Sequence, residues 1–183
     1  MSDKGLLETA QSEILLLDGA MGTSLTAAGA PDFDKMEWNV SHPDAVAGVL
    51  RDYMAAGSDV IETNTFVATR PHLARAGHDG RTAEFAEAAT RVARDAADGR
   101  VFVAACVGPT GEIVEPFGDL KIHDAVAIFT EQIAAHMAVG VDFVLLETFI
   151  AIEELEAAVQ AARQAAPDLP LAATMSFDRG DRT

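Results

Sequence analysis

Ile14-Leu15-Leu16-Leu17-Asp18-Gly19-Ala20-Met21-Gly22-Thr23 is the stretch from which the rest of the chain can be read. Four apolar residues run into an acid, and two glycines follow within four positions. A continuous apolar run closed by a turn signal reads as a strand, Glu13–Asp18, buried on both faces. Asp18 then stands at the strand's end, where the glycines let the backbone turn tightly. The plainer reading makes Asp18 only a turn cap, as in most Asp-Gly pairs. Whether other strands end in the same way decides between the two.

They do. Ser58–Phe66 reads as a second strand whose end, Glu62-Thr63-Asn64-Thr65-Phe66, is polar. Val101–Val107 is a third, running into Gly108-Pro109-Thr110-Gly111. Asp142–Glu147 is a fourth, followed by Thr148-Phe149, and Pro170–Phe177 is a fifth, closing on Ser176 and Asp178. Helical patterns separate them. Ser41 is read as the cap of a helix with Pro43 and Asp44 in its first turn, an apolar face of Val46, Val49, Leu50, Tyr53 and Met54, and a stop at Gly57. A short helix near Pro71–Ala76 precedes a long one with Phe85, Ala88, Ala89, Val92, Ala93 and Ala96 inward and Glu87 paired to Arg91 outside. Val126, Phe129, Ile133 and Met137 stripe the next. Ile152, Leu155, Val159 and Ala162 stripe the last, whose first turn holds Glu153, Glu154 and Glu156 at the positive end of the dipole. Thr26 to Val40 reads as a loop that Phe33 and Trp38 fold back onto the body.

The chain also echoes itself. Gly57-Ser58-Asp59-Val60-Ile61-Glu62-Thr63 resembles Gly140-Val141-Asp142-Phe143-Val144-Leu145-Leu146-Glu147-Thr148. Each is a helix end, an aspartate, an apolar strand and Glu-Thr. Regular strand–helix alternation implies an α/β fold with a parallel sheet and right-handed crossovers. A doubly wound sheet and a (β/α) barrel both satisfy it. No G-x-G-x-x-G and no P-loop follows any strand, which weakens nucleotide readings. Functional side chains gathered at the carboxyl ends of several strands are a barrel habit.

Composition narrows the classes. With 13 basic residues against 29 acidic ones, the formal net charge is -16. No basic stripe exists to meet phosphates, so nucleic acid and anionic membranes are not expected partners. No apolar run approaches the roughly 20 residues of a membrane span. No leader pattern opens the chain, so the cytoplasm is the expected location. Cys106 is the single cysteine, which excludes an internal disulfide and a cysteine-rich metal cage within this chain. Inside an apolar strand it reads as core.

Taken together, Asp18-Gly19-Ala20-Met21-Gly22-Thr23, Glu62-Thr63-Asn64-Thr65-Phe66, Gly108-Pro109-Thr110-Gly111, Glu147-Thr148-Phe149 and Met175-Ser176-Phe177-Asp178 resemble the homocysteine S-methyltransferase family. That family includes the homocysteine-binding domain of cobalamin-dependent methionine synthase and betaine–homocysteine methyltransferase. The wording at Asn64-Thr65-Phe66 and Gly108-Pro109-Thr110-Gly111 is more similar to the methionine synthase branch. The resemblance implies a (β/α)8 TIM-type barrel that binds homocysteine at its strand ends. Asp18 and Glu147 would take the substrate ammonium, and backbone N–H groups around Gly19 and Ala20 its carboxylate. A zwitterion needs acids at one end and unpaired donors at the other. Asn64, Thr65 and Thr110 would line the mouth, although loop capping explains Asn64 and Thr110 as simply. Glu62 reads more plainly as a partner of a neighbouring helix.

The resemblance also implies a zinc ion that binds the homocysteine sulfur as thiolate, held by one cysteine after the sixth strand and two after the eighth. This chain carries none of them, so neither a catalytic nor a metal-binding residue is assigned to it. Four strand-to-strand steps from Ile14 to Leu171 take about 39 residues each, so eight would need on the order of 300. Residues 1–183 are therefore read as the N-terminal part of a barrel, ending after the fifth strand. Methylcobalamin is one methyl donor the resemblance admits. A complementary barrel-half chain, or self-association, would cover the open edges. Three readings remain: part of a methyltransferase, a non-catalytic amino-acid-binding or assembly module, and a different barrel enzyme using Asp18, Glu62 and Glu147.

Overall fold

The structure is a computed structural model and describes residues 5–31 and 34–177. Phe33 and Asp178 lie outside the described residues. Strands β1 (Val60–Glu62), β2 (Phe102–Val107), β3 (Phe143–Phe149) and β4 (Leu171–Met175) form one parallel sheet in the order β1-β2-β3-β4. Chain order equals spatial order, without the reversal that marks a doubly wound sheet. Val60 pairs with Phe102, Ala104 with Phe143, and Val144 with Leu171.

Helices α4 (Pro43–Ala56), α6 (Thr82–Ala97), α7 (Ile122–Val139) and α8 (Ile152–Ala165) connect the strands and pack side by side against them. Alternation along each strand sorts the side chains. Ile61, Val103, Ala105, Val107, Val144 and Leu146 join the large core under the helices. Val60, Phe102, Ala104, Phe143 and Leu145 form a second apolar layer, against which Leu6 of α1 (Leu6–Ala10) and Leu15 pack. Period-two alternation then places Glu62, Cys106 and Glu147 on that second face, one step nearer the carboxyl ends. Gly57 ends α4 at φ 110°, as expected of a left-handed cap.

The opening stretch departs from its reading. Glu13–Asp18 is not a doubly buried strand but a sheet-edge segment with one parallel bridge, Leu17 to Val60. The Asp18 N–H donates to the Val60 carbonyl at 3.0 Å, and the Asp59 and Val60 N–H groups donate to Leu16. Ile14 is 88% exposed and Leu16 56%. The cause is one-sided pairing: no strand flanks its far side among the described residues, so nothing covers the side chains. β4 pairs only with β3, and its Ala172, Ala173 and Thr174 are exposed too.

Smaller differences have local causes. The supposed loop from Thr26 to Val40 is bordered by two helices, α2 (Met21–Ala27) and α3 (Trp38–Ser41). Trp38 is buried and stacks on His42, with centroids 4.5 Å apart. Ser41 ends α3 instead of capping α4, whose N-cap is His42 with no side-chain bond. The repeated aspartates share one task. Asp59 Oδ2 accepts the Leu16 N–H at 3.0 Å, and Asp142 Oδ2 accepts the Val103 N–H at 2.7 Å. Each aspartate ties its strand to the preceding one, which explains the internal echo.

Candidate functional site

The second face of the sheet opens at the strand ends into a cavity of about 780 Å³, within the range of small-molecule sites. Asp18, Gly19, Ala20, Glu62, Asn64, Thr65, Cys106 and Glu147 all line it. Thr110 does not. Its N–H and hydroxyl donate to the buried carboxylate of Glu154, at 2.8 and 2.5 Å, behind the cavity wall. Glu154, read from sequence as a dipole partner of α8 (Ile152–Ala165), is therefore a buried anchor for the loop after β2. Only the fold brings a first-turn acid to a loop 44 residues away.

Backbone geometry places Asp18. Tyr53 of α4 lies behind the following turn, and its hydroxyl donates to the Ala20 carbonyl at 3.2 Å. A Cβ at Gly19 would stand 2.9 Å from the Tyr53 ring, so the close approach needs glycine. Asp18 Oδ2 accepts the Glu62 N–H at 3.0 Å, while its Oδ1 is buried with no hydrogen-bond partner. Ala20 is the N-cap of α2 and offers no side-chain cap, so amides at this turn are left for other acceptors.

Three acids and a thiol then share a small volume. Donor atoms of Glu62, Cys106 and Glu147 lie within 4.8 Å of one another. Burial, followed by the charges of Glu147 and Asp18, pushes the Glu62 carboxyl up to about 8. Burial pushes Asp18 up to about 7 against the pull of the Glu62 N–H, with Glu147 adding to the rise. Cys106 is fully buried and donates its S–H to Glu147 at 3.1 Å; burial and the two glutamates push its thiol well up. Cys106 is thus buried, as expected of core, but sits in the cavity floor and not among apolar neighbours alone.

Polar bonds fix the opposite wall. Asn64 donates to the Lys35 carbonyl at 2.9 Å and to Asn39 at 3.1 Å, and Asn39 donates back to the Asn64 carbonyl. Thr65 donates to the Cys106 carbonyl at 2.7 Å. From beneath, Gln132 of α7 donates one amide nitrogen to the carbonyls of both Thr65 (2.9 Å) and Cys106 (3.2 Å). His72 and Arg75 of α5 (Arg70–Arg75) complete the rim. Basic rim residues on so short a helix gave no periodic signal in the sequence.

A parallel α/β sheet with an acid-lined cavity at the carboxyl ends of its strands places this protein among the ligand-binding α/β folds. A sequence profile described as homocysteine S-methyltransferase matches residues 15–183. The chain belongs to the homocysteine S-methyltransferase family. It is 31% identical to methionine synthase of Mycobacterium tuberculosis over 179 residues, covering 89% of this chain and 15% of that protein. It is 32% identical to betaine–homocysteine S-methyltransferase 1 of Sus scrofa over 182 residues, covering 94% of this chain and 63% of the relative. The structure matches that of the Escherichia coli homocysteine methyltransferase MmuM in its metallated form, with TM-score 0.79, 24% identity, and coverage of 94% of this chain and 67% of that one. The chain thus spans 15% of one curated relative and 63% of the other.

The three-thiolate zinc centre expected from the resemblance does not fit the residues present. The chain has one thiol. One thiol cannot supply three thiolate ligands, and the donor atoms that gather around Cys106 are the carboxyl oxygens of Glu62 and Glu147.

Proposed function

We propose that the chain is the N-terminal, homocysteine-binding part of a homocysteine S-methyltransferase barrel. The observation that carries this reading is the buried Asp18 Oδ1, left without a hydrogen-bond partner on a residue that lines the same cavity as Glu147. A buried acceptor without a donor is costly, and a substrate ammonium would satisfy it. In this reading Asp18 and Glu147 receive the ammonium, and N–H groups around Gly19 and Ala20 receive the carboxylate. Asn64 and Thr65 shape the wall through their backbone ties. The thiol of the bound amino acid would then be presented for methylation by groups supplied from outside residues 1–183, with methylcobalamin one candidate donor. A second reading, a module that keeps recognition without chemistry, is favoured by the lone thiol.

Binding should release a proton. In the empty site Asp18 titrates near 7. An ammonium beside it favours the carboxylate, lowers that value and expels the proton. Affinity for homocysteine should therefore rise as pH increases through about 7. Calorimetry in buffers of different ionisation heat measures the proton directly. Binding without net proton release at neutral pH would remove Asp18 from the ammonium site.

The two one-sided sheet edges point to assembly. Exposing even a few hundred Å² of apolar surface costs several kcal/mol at about 25 cal/mol per Å². Unpaired apolar strands also invite pairing. The expected state is association, with a complementary barrel half or with itself, and turnover of homocysteine only when that half is present. Sedimentation combined with hydrogen exchange tests this. A compact monomer with Leu16–Asp18 and β4 both strongly protected would overturn it.

A further inference from the structure

The cavity is not uniformly acidic. Three basic side chains, Lys35, His72 and Arg75, border the same space as the three carboxyl groups of Asp18, Glu62 and Glu147, and two of the three, His72 and Arg75, lie side by side. Both come from α5. His72 Nδ1 lies 3.0 Å from the Thr69 hydroxyl. With that hydroxyl donating to Nδ1, the ring proton resides on Nε2. Burial and the adjacent Arg75 hold His72 below its ordinary value, so it is a neutral donor near pH 7. Arg75 pairs with Glu112 and also reaches the Thr110 carbonyl at 3.4 Å.

Gly111 brings the two together. Its φ is +75°, and a Cβ there would meet Arg75 Nη2 at 2.6 Å and His72 Nε2 at 2.7 Å. The backbone thus leaves room for both polar heads on one side of a residue that has no side chain. Glu112 is the occupant of the arginine fork, but the pair is about half exposed on each side. Such pairs contribute little, so a better-placed acceptor displaces them. A planar guanidinium beside a neutral imidazole N–H suits an oxyanion that can accept two or three hydrogen bonds at once.

We propose that His72 and Arg75 form an oxyanion subsite in the cavity mouth, taking a carboxylate or phosphate group of a ligand, with Glu112 holding the arginine when the subsite is empty. The inference adds to the amino-acid reading but depends on it only through the shared cavity. The group belongs either to a second ligand, the methyl donor, or to the amino acid itself, in which case its one carboxylate sits here and not at the Gly19–Ala20 turn. Both share the oxyanion chemistry.

The test is a titration of the full chain, in whatever assembly it adopts, followed through the His72 ring by NMR. The probes are acetate, inorganic phosphate, homocysteine, and the aminopropanethiol that homocysteine becomes on losing its carboxylate. Acetate or phosphate should saturate a shift of the His72 ring and raise the pH at which it titrates. Arg75→Met should weaken that response at least about tenfold, and Glu112→Gln should strengthen it by removing the competitor. A response to homocysteine but not to the carboxylate-free amine assigns the subsite to the amino acid. An acetate response that persists in saturating homocysteine assigns it to a second ligand. A His72 ring unmoved by acetate and phosphate overturns the proposal, as does a response equal in wild type, Arg75→Met and Glu112→Gln. Neither failure touches the proton release at Asp18, which reports on the ammonium end separately.

Discussion

Asp18→Asn is expected to weaken homocysteine binding roughly 10- to 100-fold, and Glu147→Gln by a similar factor, while Glu62→Gln does less. A charge-assisted bond to an ammonium is worth about 1.5–3 kcal/mol, which sets the range. The ranking follows from protonation. Glu62 titrates near 8 and keeps its proton at neutral pH, so it presents no charge to a cation. Asp18 sits near 7 and gives its proton up more readily. Both asparagine and glutamine keep the size of the side chain they replace, so packing is largely preserved. Calorimetry on the three variants, in the assembly that binds homocysteine, gives the order. If Glu62→Gln proves the most damaging of the three, the ammonium does not sit between Asp18 and Glu147.

The same Glu62 should behave in the opposite way in a stability measurement. Its carboxyl stands at about 8 in the fold against an ordinary 4.5. A raised acid makes the folded state hold its proton more tightly than the unfolded one. Stability from this source is therefore fully present below about 4.5, falls as pH rises toward 8, and stays lost above it. Glu62→Gln removes the group that must ionise in a buried, acid-rich place. It should have little effect near pH 4 and stabilise the ligand-free protein at pH 9 by about 2–3 kcal/mol, a Tm rise of roughly 5–10 °C. Full conversion of the shift would be larger, but Asp18 and Glu147 share the repulsion. Thermal unfolding at the two pH values decides the matter. Equal gains at both would mean that Glu62 is not protonated in the empty fold.

What the sequence made legible was local and periodic. β1, β2 and β4 fall inside the strands read for them, and β3 begins inside its own but continues two residues beyond its expected end at Glu147. The Glu87–Arg91 pair forms at 2.6 Å, one turn apart as the spacing requires. The convergence of Asp18, Asn64, Thr65 and Glu147 on one cavity was readable because strand ends in a parallel sheet share a side. What depended on distant partners was not readable. An apolar run shows that a strand wants neighbours, not that it has them, so Ile14–Leu17 looked buried. Cys106 lies in a strand whose residues are all buried, and no alternation tells which face a cysteine takes there. Glu62 was read toward a helix because nothing in its flanks announces that Glu147 and Cys106 share its face.

Gln132 holds the Thr65 and Cys106 carbonyls with a single amide, from a helix that contributes no residue to the cavity lining. For anyone wishing to redesign the pocket, this joins three pieces of chain into one exchangeable part. A new loop grafted after β1 would have to set a backbone carbonyl where α7 grips it, and a change at Gln132 would release the loop and the strand end together. Substitutions at Thr65 and Gln132 should therefore be made and judged as pairs, since their separate effects will not sum. A library that varies the cavity lining while keeping α7 constant samples only those shapes that leave this backbone anchor in place.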